Sequence, residues 1–244
     1  MDVAAIICAA GRSKRFGGKK RKPFVDVDGR AMFLRSIEVF ASRQDVKQII
    51  LAILPEDREW LQIKWGANLG FFNVQVCEGG EHRPQTVQKA LALVKGQIEL
   101  VAIHDAARCC ITAELVEKTI AAAARFGAAI PACPVSDTLK QVKSGMVVTT
   151  IPRDGLYEAQ TPQVFKLDLI RKAYQALDHT EISKIYDDAQ LVEAMGHQVA
   201  IVQSDPSNIK VTFPTDIPIA EAIIRSRRPA RREGPLGPFE EAQW

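Results

Sequence analysis

No stretch of this 244-residue chain approaches the roughly 18–20 consecutive apolar residues of a membrane-spanning helix, so no membrane span is expected. Paired cysteine motifs are missing as well: five cysteines, an odd number, include no C-x-x-C, which excludes a disulfide scaffold and points to free thiols in a reducing cytoplasm. His82 and His104 lack carboxylate or cysteine partners at zinc-site spacing, and neither reads as a metal ligand. No 20–50-residue repeat is present. Acidic residues are absent from two windows. Residues 12–22 hold seven Lys or Arg, and residues 225–232 hold five Arg. Removing these twelve from the 32 basic residues leaves 20 against 29 acidic ones, so a body of net charge −9 carries two local cationic clusters. An acidic body repels a nucleic-acid duplex, and the clusters suit small anions instead.

What is present is alternation. Strand-length runs rich in Val and Ile precede segments of helical period: Val3–Cys8 then Met32–Phe40, Gln48–Leu54 then Arg58–Trp65, Asn73–Cys77 then Val87–Val94, Leu100–Ile103 then Ala113–Arg125, and finally Ala128–Ala132. Crossover helices of this kind give a Rossmann-like, three-layer α/β/α fold with a mostly parallel sheet, whose ligands sit beyond the carboxyl ends of the strands. The rhythm breaks at residues 136–162. There Thr138–Lys143 and Met146–Ile151 flank Ser144-Gly145 as a hairpin that either lies on its own domain or projects; with apolar Val142, Val147 and Ile151, a projecting arm would want a partner. Helices at Leu167–Leu177 and Ala189–Met195, a strand at Gln198–Gln203 and a helix from Asp216 to Ile224 complete a single domain, 1–224. Residues 225–244 read as a disordered tail with nothing fused beyond it, and Val3–Ala10, with no basic residues before it, reads as a strand rather than a secretory signal.

Three loops after strands carry candidate chemistry. Ala9-Ala10-Gly11-Arg12-Ser13-Lys14-Arg15-Phe16-Gly17-Gly18 combines glycine with cations, the ingredients of a phosphate cradle, although neither G-x-x-x-x-G-K-[ST] nor G-x-G-x-x-G fits its spacing; the alternative is a solvated basic loop, but seven cations beside a strand end are more than solubility needs. Gly79-Gly80-Glu81-His82-Arg83 allows close approach to a flat ligand, or is an ordinary turn. His104-Asp105-Ala106-Ala107-Arg108 puts a carboxylate at a strand end, as a metal ligand or as a helix cap. Arg153-Asp154-Gly155 with Gln160-Thr161-Pro162-Gln163, and Asn208-Ile209-Lys210-Val211-Thr212, add cations and hydroxyls that suit phosphate recognition or turn chemistry.

In this order the windows resemble the 2-C-methyl-D-erythritol 4-phosphate cytidylyltransferases of the non-mevalonate isoprenoid pathway, along nearly the whole chain to about Ile224. The resemblance implies a nucleotide-diphospho-sugar transferase type of fold, transfer of CMP from CTP to methylerythritol phosphate with loss of pyrophosphate, and Mg²⁺. It also implies a homodimer built by the hairpin arm, whose Arg153 would act within the chain or across the dimer. Ala9, Ala10, Gly11, Gly80, Glu81, Thr86 and Asp105 would surround CTP, with Arg15 and Lys22 on its triphosphate and Asp105 assisting the metal. Arg153, Thr161 and Lys210 would hold the second substrate's phosphate, with Thr138 nearby. Cys8, Ser13, Glu81, Thr86, Cys109 and Tyr186-Asp187-Asp188 depart from the family's usual residues, yet none removes a charge that the chemistry needs. A cytidylyltransferase for another polyol phosphate, such as ribitol 5-phosphate, is the alternative.

Overall fold

The structure, a computed structural model, describes residues 1–17, 21–177 and 179–227. The expected tail beyond Arg227, and the cations Lys19 and Lys20, lie outside these residues.

β1 (Val3–Cys8) is buried nearly throughout and shows how the layers form. Val3, Ala5 and Ile7 join one apolar cluster, Ala4 and Ile6 another, because successive side chains of a strand point to opposite faces. After β1 come the two-residue strands β2 (Asp26–Val27) and β3 (Arg30–Ala31), then α1 (Met32–Ala41). Next are β4 (Val46–Ile53), α2 (Arg58–Phe71), β5 (Val74–Glu78), α3 (Arg83–Leu91), β6 (Leu100–Asp105), α4 (Ala113–Phe126) and β7 (Ala128–Pro134). α1, α2 and α4 cover the first face, through residues such as Phe33, Ile37, Leu61 and Val116, and α3 covers the second through Val87 and Leu91. α4 is bounded as its sequence dictates: the Thr112 side chain accepts from the Leu115 amide, and Gly127 stops the helix at φ 90°.

The chain then leaves the sheet as β8 (Leu139–Lys143) and β9 (Met146–Ile151), which pair only with each other among the described residues. Their turn residues Ser144 and Gly145 both have positive φ, 51° and 80°, as a two-residue hairpin turn requires. Val142, Met146, Val147 and Val148 are all more than half exposed.

The expected arm is drawn too long at its far end. β10 (Tyr157–Ala159) returns to the main sheet beside β7, and Val135 donates to the Leu156 carbonyl, which closes the arm's base. β11 (Gln163–Lys166) then enters the middle of the sheet, antiparallel to both β6 and β7. Only Val164 and Phe165 are apolar in this segment, which explains why periodicity misses a strand whose two side chains feed opposite cores. α5 (Leu167–Gln175) and α6 (Ala189–Ala194) join α3 on the second face. β12 (Ala200–Gln203) takes the outer edge of β7, since Ala132 faces Gln203 on one side and Ala159 on the other. The main sheet runs β12-β7-β11-β6-β1-β4-β5, with β10 extending the β11 edge of β7. α7 (Asp216–Ser226) packs on a third, smaller cluster containing Phe16, Met32, Cys109, Cys110 and Val211. It runs two residues past its expected end, so Arg225 belongs to a helix rather than to a tail.

Candidate active site

From β1 the chain passes through α1 to β4 on one side, whereas β6, reached later, flanks β1 on the other. Strand order reverses between β1 and β6, and such a point leaves a crevice at the carboxyl ends of the strands. Cys8, the last residue of β1, is in register with Asp105, the last of β6, and above them opens a cleft of about 650 Å³.

One wall is built from two loops held in contact. The Ala9 amide bonds the Ala52 carbonyl and the Gly79 amide the Ile53 carbonyl, each at 2.7 Å, so both loops hang from the end of β4. A Cβ on Gly79 would sit 2.4 Å from the Ala10 methyl, so only glycine permits this approach. Thr86 is buried, accepts the Gly80 amide at 3.0 Å and fixes the turn that presents Gly80 and Glu81. The cationic loop turns at Ser13, whose φ of 49° is left-handed, and inserts Phe16 into the core beneath. At its far end Arg21 pairs with Asp57 and stacks over Trp60, while the next residue, Lys22, donates to the Val211 carbonyl at 3.0 Å. Arg12, Arg15, Lys22 and Lys210 all reach the cleft. Burial lowers the Lys22 pKa, and Lys210 and Arg15 lower it further, so an anion bound among them would favour its charged form.

The floor is a charge cluster. Asp105 is buried; Arg83 Nε donates to its Oδ1 at 3.1 Å and Lys210 Nζ to its Oδ2 at 2.5 Å. Burial opposes its charge, but Arg83 and Lys210 overcome that and hold the carboxyl well below the usual carboxylate range. Arg83 also reaches Asp188 Oδ2 at 2.7 Å, and Asp188, fully buried, receives the Tyr174 hydroxyl at 2.5 Å. Thr161 Oγ1 accepts the Asp105 amide and meets His104 Nδ1 at 3.0 Å. Burial pushes the His104 pKa down to about 4, so this histidine is neutral at pH 7. The cleft is thus lined by the cations Arg12, Arg15, Lys22, Arg83 and Lys210 over the buried, ionised Asp105.

The IspD family model, 2-C-methyl-D-erythritol 4-phosphate cytidylyltransferase, matches residues 3–226. The chain belongs to this family. The cytidylyltransferase of Rhodopirellula baltica is 40% identical over 238 residues, covering 93% of this chain and 96% of the relative, and that of Alkaliphilus oremlandii is 37% identical over 231 residues, covering 94% and 98%. Among solved structures, 2-C-methyl-D-erythritol 4-phosphate cytidylyltransferase from Thermus thermophilus aligns with TM-score 0.75 and 32% identity, covering 92% of this chain and all of that one. The 4-diphosphocytidyl-2C-methyl-D-erythritol synthase of Anaerococcus prevotii aligns with TM-score 0.77 and 31% identity, covering 92% and 96%.

Of the residues the cytidylyltransferase resemblance singles out, Ala9, Ala10, Gly11, Arg15, Lys22, Gly80, Glu81, Thr86, Asp105 and Lys210 line this one cleft. Three do not. Thr161 is buried beneath Asp105, where its hydroxyl accepts the Asp105 amide and meets His104 Nδ1. Arg153 and Thr138 belong to the arm; Arg153 bonds the Ser136 carbonyl, and neither is among the described residues lining the cleft. Arg83, Asp188 and Tyr174 escape sequence reading. Arg83 stands in a quoted window without a role, and nothing local links it to Asp188, which lies far along the chain.

The same geometry tests a metal. Among the described residues no three His, Cys, Asp or Glu side chains converge, and Asp105 and Glu81 are the carboxylates lining the cleft. This donor set does not build a protein-held metal centre. It suits a divalent cation carried mainly by phosphate oxygens, which Asp105, now bonded by Arg83 and Lys210, would assist once Lys210 turns away.

Proposed function

We propose that the protein transfers CMP from CTP to 2-C-methyl-D-erythritol 4-phosphate, giving 4-diphosphocytidyl-2-C-methyl-D-erythritol and pyrophosphate. The observation that carries this reading is the convergence of Arg15, Lys22 and Lys210 on a cleft whose one buried histidine is neutral and sealed beneath the floor. The attacking group is a phosphate oxygen, already anionic at pH 7, so no general base is required. The new bond joins that oxygen to the α-phosphorus of CTP, and the bond from the α-phosphorus to pyrophosphate breaks with its electron pair leaving on pyrophosphate. Catalysis then consists of alignment and neutralisation of charge.

Ala9, Ala10 and Gly11 line the nucleotide side of the cleft, and Gly80 and Glu81 face the base from a turn that Thr86 holds. Arg15 and Lys22 neutralise the triphosphate. Lys210, about two-fifths exposed, can turn from Asp105 toward the second substrate's phosphate while Arg83 keeps Asp105 ionised. A bound Mg²⁺, held by phosphates and Asp105, would withdraw charge from the phosphates. Arg153 and Thr138, displaced from their own cleft on an exposed apolar arm, serve the second substrate in the partner of a homodimer. The five free cysteines agree with a cytoplasmic enzyme, and no helix among the described residues is long and apolar enough to cross a membrane.

Pyrophosphate release measured with CTP and each polyol phosphate tests the reading. Turnover is expected with methylerythritol phosphate, and turnover confined to ribitol 5-phosphate would overturn it.

A further inference from the structure

The second cationic cluster has no role in the chemistry above, yet the first two of its arginines are built into the fold. Arg225 Nε bonds Asp28 Oδ1 at 2.8 Å, and its Nη2 meets Glu221 at 3.3 Å one turn earlier, which anchors the end of α7. Arg227 follows the last residue of that helix and lies just past the span matched by the family model. Its guanidinium forks: Nη1 donates to the Cys110 carbonyl at 2.5 Å and Nη2 to the Ser207 hydroxyl at 2.5 Å.

These two acceptors belong to two loops that share the work of the cleft. Cys110 closes the loop after β6, which begins at Asp105. Ser207 lies in the loop after β12, three residues before Lys210. Arg108 Nη1 donates to the Asn208 carbonyl at 2.7 Å, and the Val211 amide to the Ala107 carbonyl at 2.8 Å, so the loops are tied on both sides of Lys210. Beneath them α7 packs Ile217, Ala220, Ile223 and Ile224 against Cys109, Cys110 and Val211. An apolar contact of this kind sets distance but tolerates sliding, whereas the planar fork fixes both loops at once.

We propose that Arg227 is a positioning residue that sets Lys210 for the second substrate's phosphate by clamping the Cys110 and Ser207 loops to the end of α7. The inference rests on the role given to Lys210 above. It predicts an effect that falls mainly on one substrate, because the Gly79 and Gly80 side of the CTP wall hangs from β4, on the far side of β1, and only Lys22, through the Val211 carbonyl, touches a clamped loop from the CTP side.

The test is steady-state kinetics of full-length Arg227→Ala, Arg227→Lys, Ser207→Ala and Lys210→Ala, with both substrates varied. Losing the fork should raise the KM for methylerythritol phosphate by about tenfold or more in Arg227→Ala, with the KM for CTP within about twofold. Ser207→Ala, which leaves the arginine and the helix in place, should show a smaller rise in the same KM alone. Arg227→Lys should restore part of the loss, since an ammonium serves as a point charge and not a fork. Arg227→Ala with an unchanged KM for methylerythritol phosphate, or with both KM values raised equally, would overturn the clamp. If Arg227→Ala fails to fold, Ser207→Ala decides: an unchanged KM for methylerythritol phosphate overturns the proposal. Undiminished turnover in Lys210→Ala would instead sink the role of Lys210, which separates the two failures.

Discussion

The cleft and the hairpin arm are opposite solutions to displaying charge. Around the cleft several cations stand against groups that limit them: Arg83 bridges two buried carboxylates, Lys210 bonds one of them, and Lys22 bonds a carbonyl. On the arm the apolar side chains are open, the ladder has no neighbour beyond its own two strands among the described residues, and Arg153 bonds the Ser136 carbonyl in the same segment. Neutralising a triphosphate needs donors that are already aimed, because reorganising them during reaction raises the barrier. An arm with open valines gains from burial, and in the proposed homodimer a second copy of this chain would supply it together with a cleft for Arg153 and Thr138.

The contrast can be broken most directly in the cleft. Arg15→Ala or Lys22→Ala should lower turnover by about 10²–10³ with the melting temperature nearly unchanged, as loss of a preorganised donor typically does. Near-normal turnover in either would remove that residue from the triphosphate. Arg153→Ala should also be severely impaired, and in the proposed homodimer its defect would fall on the partner's site. Mixing it with Lys22→Ala should recover about a quarter of wild-type activity, because half of the randomly reassorted dimers hold one intact site. No recovery after subunit exchange would place Arg153 in its own chain's cleft.

Smaller changes sharpen the comparison. Val142 and Val147 sit opposite each other in the arm ladder, and changing both to Lys should shift the protein to monomer in light scattering without unfolding the main sheet. A dimer that persists would show that the arm is not its interface. Gly79→Ala should separate the two loops that share the β4 end and raise the KM for CTP more than that for the second substrate, since the added methyl meets the Ala10 methyl at 2.4 Å. Ser13→Gly should be nearly silent in turnover and stabilise by no more than about 1 kcal/mol, by relieving a left-handed serine. A large loss there would show that the Ser13 hydroxyl has a role of its own.

Much of the fold was legible because it is local. The alternation of Val3–Cys8 and its successors with helical segments reports two-sided burial directly, and Ser144-Gly145 reports a hairpin turn, since both signals need only neighbouring residues. The glycine and cation loops were legible for the same reason: each follows a strand end, and the structure brings them to one cleft. β11 was hidden because a central antiparallel strand with two apolar residues looks like any short loop until β6 and β7 stand on either side of it. Thr161 looked like a phosphate donor from its window, and only packing shows its hydroxyl turned down to the Asp105 amide and His104.

The sequence by itself determined the layers, the loops at the strand ends and the family, because periodicity and turn chemistry are properties of short windows. Tertiary structure alone decided which charges meet. Lys210 and Asp105 are 105 residues apart, and Arg227 and Cys110 are 117 apart. Such pairs are made by sheet order and by the landing point of α7, which depend on the whole core and on no single window. The terminal arginines that composition marked as a tail are in part a clamp for that reason.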